Sequence, residues 1–117
     1  METNSNAVLE LSFDFSLAII DFCELLESHK KYVIRRQLLK SGTSIGANIS
    51  EAQSPESIYD FIHKLKIADK ETRETAYWLK LCERSKAYPF DENLLIQLKV
   101  IEKLLSKIIS SAKKKNT

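Results

Sequence analysis

The stretch from Ile58 to Cys82 constrains this chain more than any other. Ile58, Phe61, Leu65, Ala68, Thr72, Thr75, Leu79 and Cys82 recur at alternating spacings of three and four residues. That is the period of one helix face, sustained far longer than a strand or a short helix could hold it. A helix of this length cannot bury its seam alone and needs other helices of similar length beside it. The rest of the sequence supplies them. In 117 residues there are only two glycines and two prolines, too few turn formers for a many-stranded sheet.

The other helices follow from the same spacing. Leu11, Phe15, Ala18, Phe22 and Leu25, widened by Ile19 and Leu26, predict a helix over about 7–28, after a polar leader in which Ser5 or Asn6 serves as cap. His29-Lys30-Lys31 is the expected connection. Ile34, Leu38, Ser41, Ile45, Asn48 and Ala52 predict a second helix over 32–53. Its centre is weak in propensity, because each glycine costs roughly 1 kcal/mol against alanine. A loop at Ser41–Ser44 is the competing reading. The preferred one is a continuous helix whose small side chains let a neighbour's backbone come close. Ser54-Pro55-Glu56-Ser57 reads as a start signal, with Ser54 as N-cap, Pro55 in the first helical position and a third helix over 55–86. Asp91 is the expected cap of a fourth helix, with Phe90 as its hydrophobic staple. Leu94, Leu98, Ile101, Leu105, Ile108 and Ala112 carry that helix over 91–112. Short connections between four amphipathic helices make one all-α domain over 1–117, an up-down-up-down antiparallel four-helix bundle.

Chemistry is much less evident. His29 and His63 have no Cys, His or carboxylate at metal-ligand spacing on their own helix face, and no Glu-x-x-His pair occurs. Neither glycine opens a phosphate-binding loop. The reading is therefore of a protein that is not an enzyme and has no cofactor, metal or evident small-molecule substrate. Cys23 and Cys82 fall on apolar stripes, as reduced core thiols do. A polar, acidic start and the lack of any apolar run of membrane-spanning length make a cytoplasmic protein the expectation, with no membrane partner.

Net charge is +2, so composition alone does not call for a nucleic acid, but the cations are ordered. Lys66, Lys70, Arg73, Lys80 and Arg84 form a stripe on the third helix, with Tyr77 filling its one gap. Lys99, Lys103 and Lys107 stand a turn apart on the fourth. On the second, Lys31 pairs in spacing with Arg35, and Arg36 with Lys40. Such stripes can track a phosphate backbone, with Tyr77 as a stacking surface. They can equally be solvated faces, laced by pairs such as Asp60 with Lys64 and Asp69 with Arg73. A further stripe runs through Ile67, Glu71, Glu74, Trp78 and Leu81. Either Trp78 covers the core of its own protomer, or Trp78, Leu81 and Ile67 anchor a subunit interface. If that stripe is covered, Glu71 and Glu74 need partners, for which Ser44, Asn48 and Arg35 are in place.

The run Leu38-Leu-Lys-Ser-Gly-Thr-Ser-Ile-Gly-Ala-Asn-Ile-Ser-Glu-Ala52 resembles the bacterial four-helix-bundle proteins encoded in intervening sequences of 23S ribosomal RNA genes. The resemblance continues through Asp60-Phe-Ile-His-Lys-Leu-Lys-Ile-Ala68 and Arg73-Glu-Thr-Ala-Tyr-Trp-Leu79, and Leu11-Ser-Phe-Asp-Phe15 is similar to the family's opening. Gly42 departs from the family, in which alanine is frequent, as does Asp69-Lys70, where small residues are frequent. That family is similar to the accessory variability determinant of diversity-generating retroelements, a ring-shaped pentamer that binds nucleic acid and its reverse transcriptase. The resemblance thus implies a homo-oligomer, a pentamer by this analogy, with RNA or DNA as partner through Lys66, Lys70, Arg73, Lys80 and Arg84, backed by Arg35 and Arg36. The competing expectation is a protein-interaction or assembly module with no nucleic-acid role.

Overall fold

The structure, a computed structural model, describes the backbone of residues 2–115 and the side chains of residues 6–115. Four helices follow one another: α1 (Glu2–Ser28), α2 (Tyr32–Glu51), α3 (Ile58–Arg84) and α4 (Glu92–Lys115). Each packs on its neighbours in sequence and α1 closes the square against α4, whereas α1 and α3, like α2 and α4, stand diagonal with no close backbone approach among the described residues. The result is the expected antiparallel bundle, with extents of 49 × 21 × 19 Å.

α2 is unbroken through its weak centre, so the loop reading of Ser41–Ser44 is wrong. The reason is proximity. A Cβ built on Gly42 would lie 2.9 Å from Cγ1 and Cγ2 of Ile19, and one on Gly46 would lie 3.2 Å from the Ser12 backbone oxygen. α1 therefore rests almost directly on the α2 backbone, and this packing offsets the poor helix propensity.

α1 differs from expectation in its rotation and its start. It begins at Glu2, so the leader is helical backbone and Asn6 lies inside the helix. Met1 and the Ser5 side chain lie outside the described residues. The buried face runs through Val8, Ser12, Phe15, Ile19, Phe22, Cys23 and Leu26, leaving Leu11 and Leu25 exposed. Apolar residues occupy almost every side of α1, so spacing alone does not pick a single direction.

The start of α3 is also a correction. Ser54 is not its N-cap. Its own N–H donates to the Glu51 carbonyl at 3.2 Å, closing the end of α2. Ser57 is the cap: the Asp60 N–H donates to its hydroxyl at 3.0 Å, while the Asp60 carboxylate accepts from the Glu56 N–H at 3.1 Å. This reciprocal pair is a capping-box variant, and it outcompetes the Ser-Pro signal three residues earlier. Ile58, in the first turn, is exposed, and Ile62 is buried at that end of the helix instead. The α4 start is as expected, with the Asn93 N–H donating to the Asp91 carboxylate at 3.0 Å and Phe90 packed on the core. All six expected α4 seam residues are buried.

Candidate nucleic-acid interface

The five α3 cations, Lys66, Lys70, Arg73, Lys80 and Arg84, are all exposed and share one side of the helix. Tyr77 is exposed among them, set edge-on to Trp78 with ring centroids 5.2 Å apart and planes at 72°. At Lys66 the stripe approaches α4. There the last turn of α4 brings in Lys113, whose ammonium lies close enough to Lys66 to be held below the ordinary lysine pKa, by repulsion first and then by hydrogen bonding. Two helices thus deliver like charges to one spot, an arrangement that a phosphate would relieve.

Not every expected cation is equally free. Arg73 Nε lies 3.4 Å from Asp69 Oδ2, on an otherwise exposed side chain. Arg35 sits on the α1 side of α2, half-buried, with Nε 3.5 Å from Glu27 Oε1 and its backbone carbonyl accepting from the Cys23 thiol at 3.7 Å. Arg36 is exposed on α2. Both arginines stand on α2, not on α3, and α3 turns the stripe of Ile67, Glu71, Glu74, Trp78 and Leu81 toward that helix. That stripe faces α2: Lys40 of α2 acts on Glu71, and Lys64 of α3 bonds Glu51 of α2 at 3.0 Å.

Trp78 packs partly on the protomer's own core, and its indole N–H donates to Glu74 Oε2 at 3.3 Å. Ile67 is half-buried and Leu81 exposed. Ser44, Asn48 and Arg35 do not supply partners to Glu71 and Glu74; the Asn48 amide instead donates to the Ser44 carbonyl at 2.9 Å and its hydroxyl at 3.1 Å, one turn back on its own helix.

The groups that could carry chemistry do not converge. His29 Nδ1 is 2.9 Å from the Leu25 carbonyl in the α1–α2 turn, and His63 is exposed on α3. Cys23 and Cys82 are free and buried, and burial raises both thiols to about 11, away from nucleophilic thiolate character. Among the described residues no group of three or more His, Cys, Asp and Glu could hold a metal, and no helix is long and apolar enough to cross a membrane.

Comparison with known proteins agrees with this architecture. A protein of unknown function from the S23 ribosomal protein family of Bacteroides thetaiotaomicron superposes with a TM-score of 0.86 at 41% identity, covering 92% of this chain and 98% of that one. No curated protein matches significantly. The profile of the 23S rRNA-intervening sequence proteins matches residues 4–111, and the chain belongs to that family.

Proposed function

We propose that this protein is a non-catalytic, homo-oligomeric bundle of the cytoplasm that binds structured RNA or DNA through the α3–α4 basic face. The observation that carries the reading is the row of exposed cations on one side of α3, Lys66, Lys70, Arg73, Lys80 and Arg84, with Lys113 of α4 set near its Lys66 end. Cations that repel one another in the free protein gain most when a polyanion arrives. The family's association with 23S rRNA makes structured RNA the first ligand to try, and the ring implied by resemblance would repeat the patch around an axis. A five-membered ring is the form that resemblance favours.

The test is a titration of structured RNA and duplex DNA at several salt concentrations, with the assembly state followed in parallel. Four cations per protomer, at about 0.9 counterions each, give a log–log salt slope of about −3.6 on duplex DNA. Lys70→Glu/Arg73→Glu removes about half of that slope. An assembled protein that binds neither nucleic acid at low salt rejects the reading and leaves the assembly module with a protein partner. That second reading draws on the large apolar side chains exposed along α1, among them Phe13 and Leu17.

A further inference from the structure

Charge is segregated by helix in this protomer. Between Asn6 and Ser28, α1 carries Glu10, Asp14, Asp21, Glu24 and Glu27 and no lysine or arginine. Among the described residues, Glu27 is the one of these with an ion pair to a cation, Arg35. The same helix leaves apolar surface in water: Phe13 is 64% exposed, Leu17 50% and Ile20 40%. Their spacing places them in one row, so they form a contiguous patch and not scattered surface residues. With Gly46 and Ala47 of α2 they line a groove of about 920 Å³, which Glu10 and Asp14 also border. Small residues on one side of such a groove let an incoming helix approach closely.

The α3 surface carries the complement. Tyr77 is 57% and Leu81 38% exposed, one helical turn apart, with Lys80 and Arg84 beside them. Apolar side chains flanked by cations on one face match apolar side chains flanked by anions on the other. Because α1 and α3 are diagonal in the bundle, both faces of one protomer can be engaged at once.

We infer that the α1–α2 groove of one protomer receives the Tyr77–Leu81 segment of α3 from a second copy, with Lys80 and Arg84 set against Glu10 and Asp14. The contact is head-to-tail, the kind that closes into a ring or extends into a filament. It rests on the homo-oligomer reading above and adds to it the two faces involved. It also divides the basic stripe: Lys80 and Arg84 serve assembly, while Lys66, Lys70, Arg73 and Lys113 stay open to phosphate.

Two charge reversals of the full chain test this, Glu10→Lys/Asp14→Lys and Lys80→Glu/Arg84→Glu, compared by sedimentation with the unaltered protein. All four positions are exposed, and circular dichroism verifies that the helices are kept. Each variant alone places like charges across the contact, and its self-association weakens by about a hundredfold or more. Mixed in equal amounts the two re-associate in alternation, because each reversed face then meets an opposite charge on the other variant; a five-membered ring would keep one like-charged junction, so the gain is read as restored association and not as ring closure. An unaltered protein that assembles, with variants that assemble equally well or a mixture that stays dissociated, overturns the face assignment alone. An unaltered protein that is monomeric at micromolar concentration overturns it together with the homo-oligomer reading.

Discussion

Thr75 and Ser41 meet inside the α2–α3 interface, both fully buried, with their hydroxyls 2.9 Å apart. The Thr75 hydroxyl also donates to the Glu71 carbonyl at 2.7 Å. A hydroxyl has one proton, so with Thr75 committed to Glu71 it is Ser41 that donates across the interface. The two side chains are therefore not equivalent. Thr75→Val removes the acceptor and strands the Ser41 hydroxyl, which costs about 1–3 kcal/mol as an unsatisfied buried group. Ser41→Ala leaves Thr75 still bonded to Glu71. Its cost is the net value of one hydrogen bond, about 0.5–1.5 kcal/mol, less a few tenths (about 0.5 kcal/mol) recovered from alanine's helix propensity. The double variant has no polar atom left to strand, so it is expected to be more stable than Thr75→Val alone by about 1–2 kcal/mol. Urea denaturation followed by circular dichroism measures all four proteins, at one protomer concentration because assembly couples to stability. Additive losses, or Thr75→Val milder than Ser41→Ala, would refute the reasoning. They would mean that the freed Ser41 hydroxyl turns back to the Gln37 carbonyl one turn earlier and satisfies itself there.

Two further outcomes follow from local geometry. Ser57→Ala removes the hydroxyl that accepts from Asp60 N–H and costs about 1 kcal/mol, whereas Ser54→Ala, outside the cap, changes the urea midpoint little. Burial first, and then the charge of Glu74, raise Glu71 above its ordinary pKa of 4.5, with Lys70 and Lys40 pulling the other way. A carboxyl raised in the folded state adds stability only when protonated, and that contribution is lost as pH rises through the folded value. Glu71→Gln is therefore expected to raise the melting temperature at neutral pH, and the advantage fades as the pH falls through the raised folded value and is gone below the ordinary 4.5.

The α4 seam was fully legible because its six residues keep the four-three spacing without a break, even though Ile96 and Val100 stay exposed outside it. α1 was legible as a helix but not in its rotation, since Leu11, Phe13, Leu17, Ile20 and Leu25 put large apolar side chains outside the buried face as well. What settles the rotation is a contact with another helix: Gly42 against Ile19 and Gly46 against Ser12 and Ser16. The α1–α2 turn was placed correctly although its decisive residue gives no signal. Lys30 takes the left-handed conformation at φ 60, and the Lys31 and Lys30 N–H groups donate to the Leu26 and Glu27 carbonyls at 2.8 Å each. This is a Schellman closure, for which glycine would have been the recognisable residue.

For the basic face, periodicity identified which cations share a side of α3, but not what lies opposite them. Lys113 is 47 residues away from Lys66 in sequence, and its role depends on how the α3–α4 hairpin folds back. Helix lengths contain that information. Lys66 stands 18 residues before the end of α3 at Arg84, and Lys113 stands 21 residues after the start of α4 at Glu92. At about 1.5 Å per residue these are roughly 27 and 32 Å from the hairpin end, within about one helical turn of the same height. An antiparallel pair with a short connection must therefore bring the two lysines level, and the positive end of each cation stripe is reinforced or cancelled by whatever its partner helix carries at that height. By the same measure, Lys99 and Lys103 stand only 7 and 11 residues into α4, near the hairpin, where Glu83 and Glu92 line the same surface groove. Acidic neighbours weaken the field there, whereas at the Lys66 end a second cation strengthens it. The asymmetry along α3 is thus set by hairpin geometry, and it is why the positive field is stronger at the end that carries Lys66.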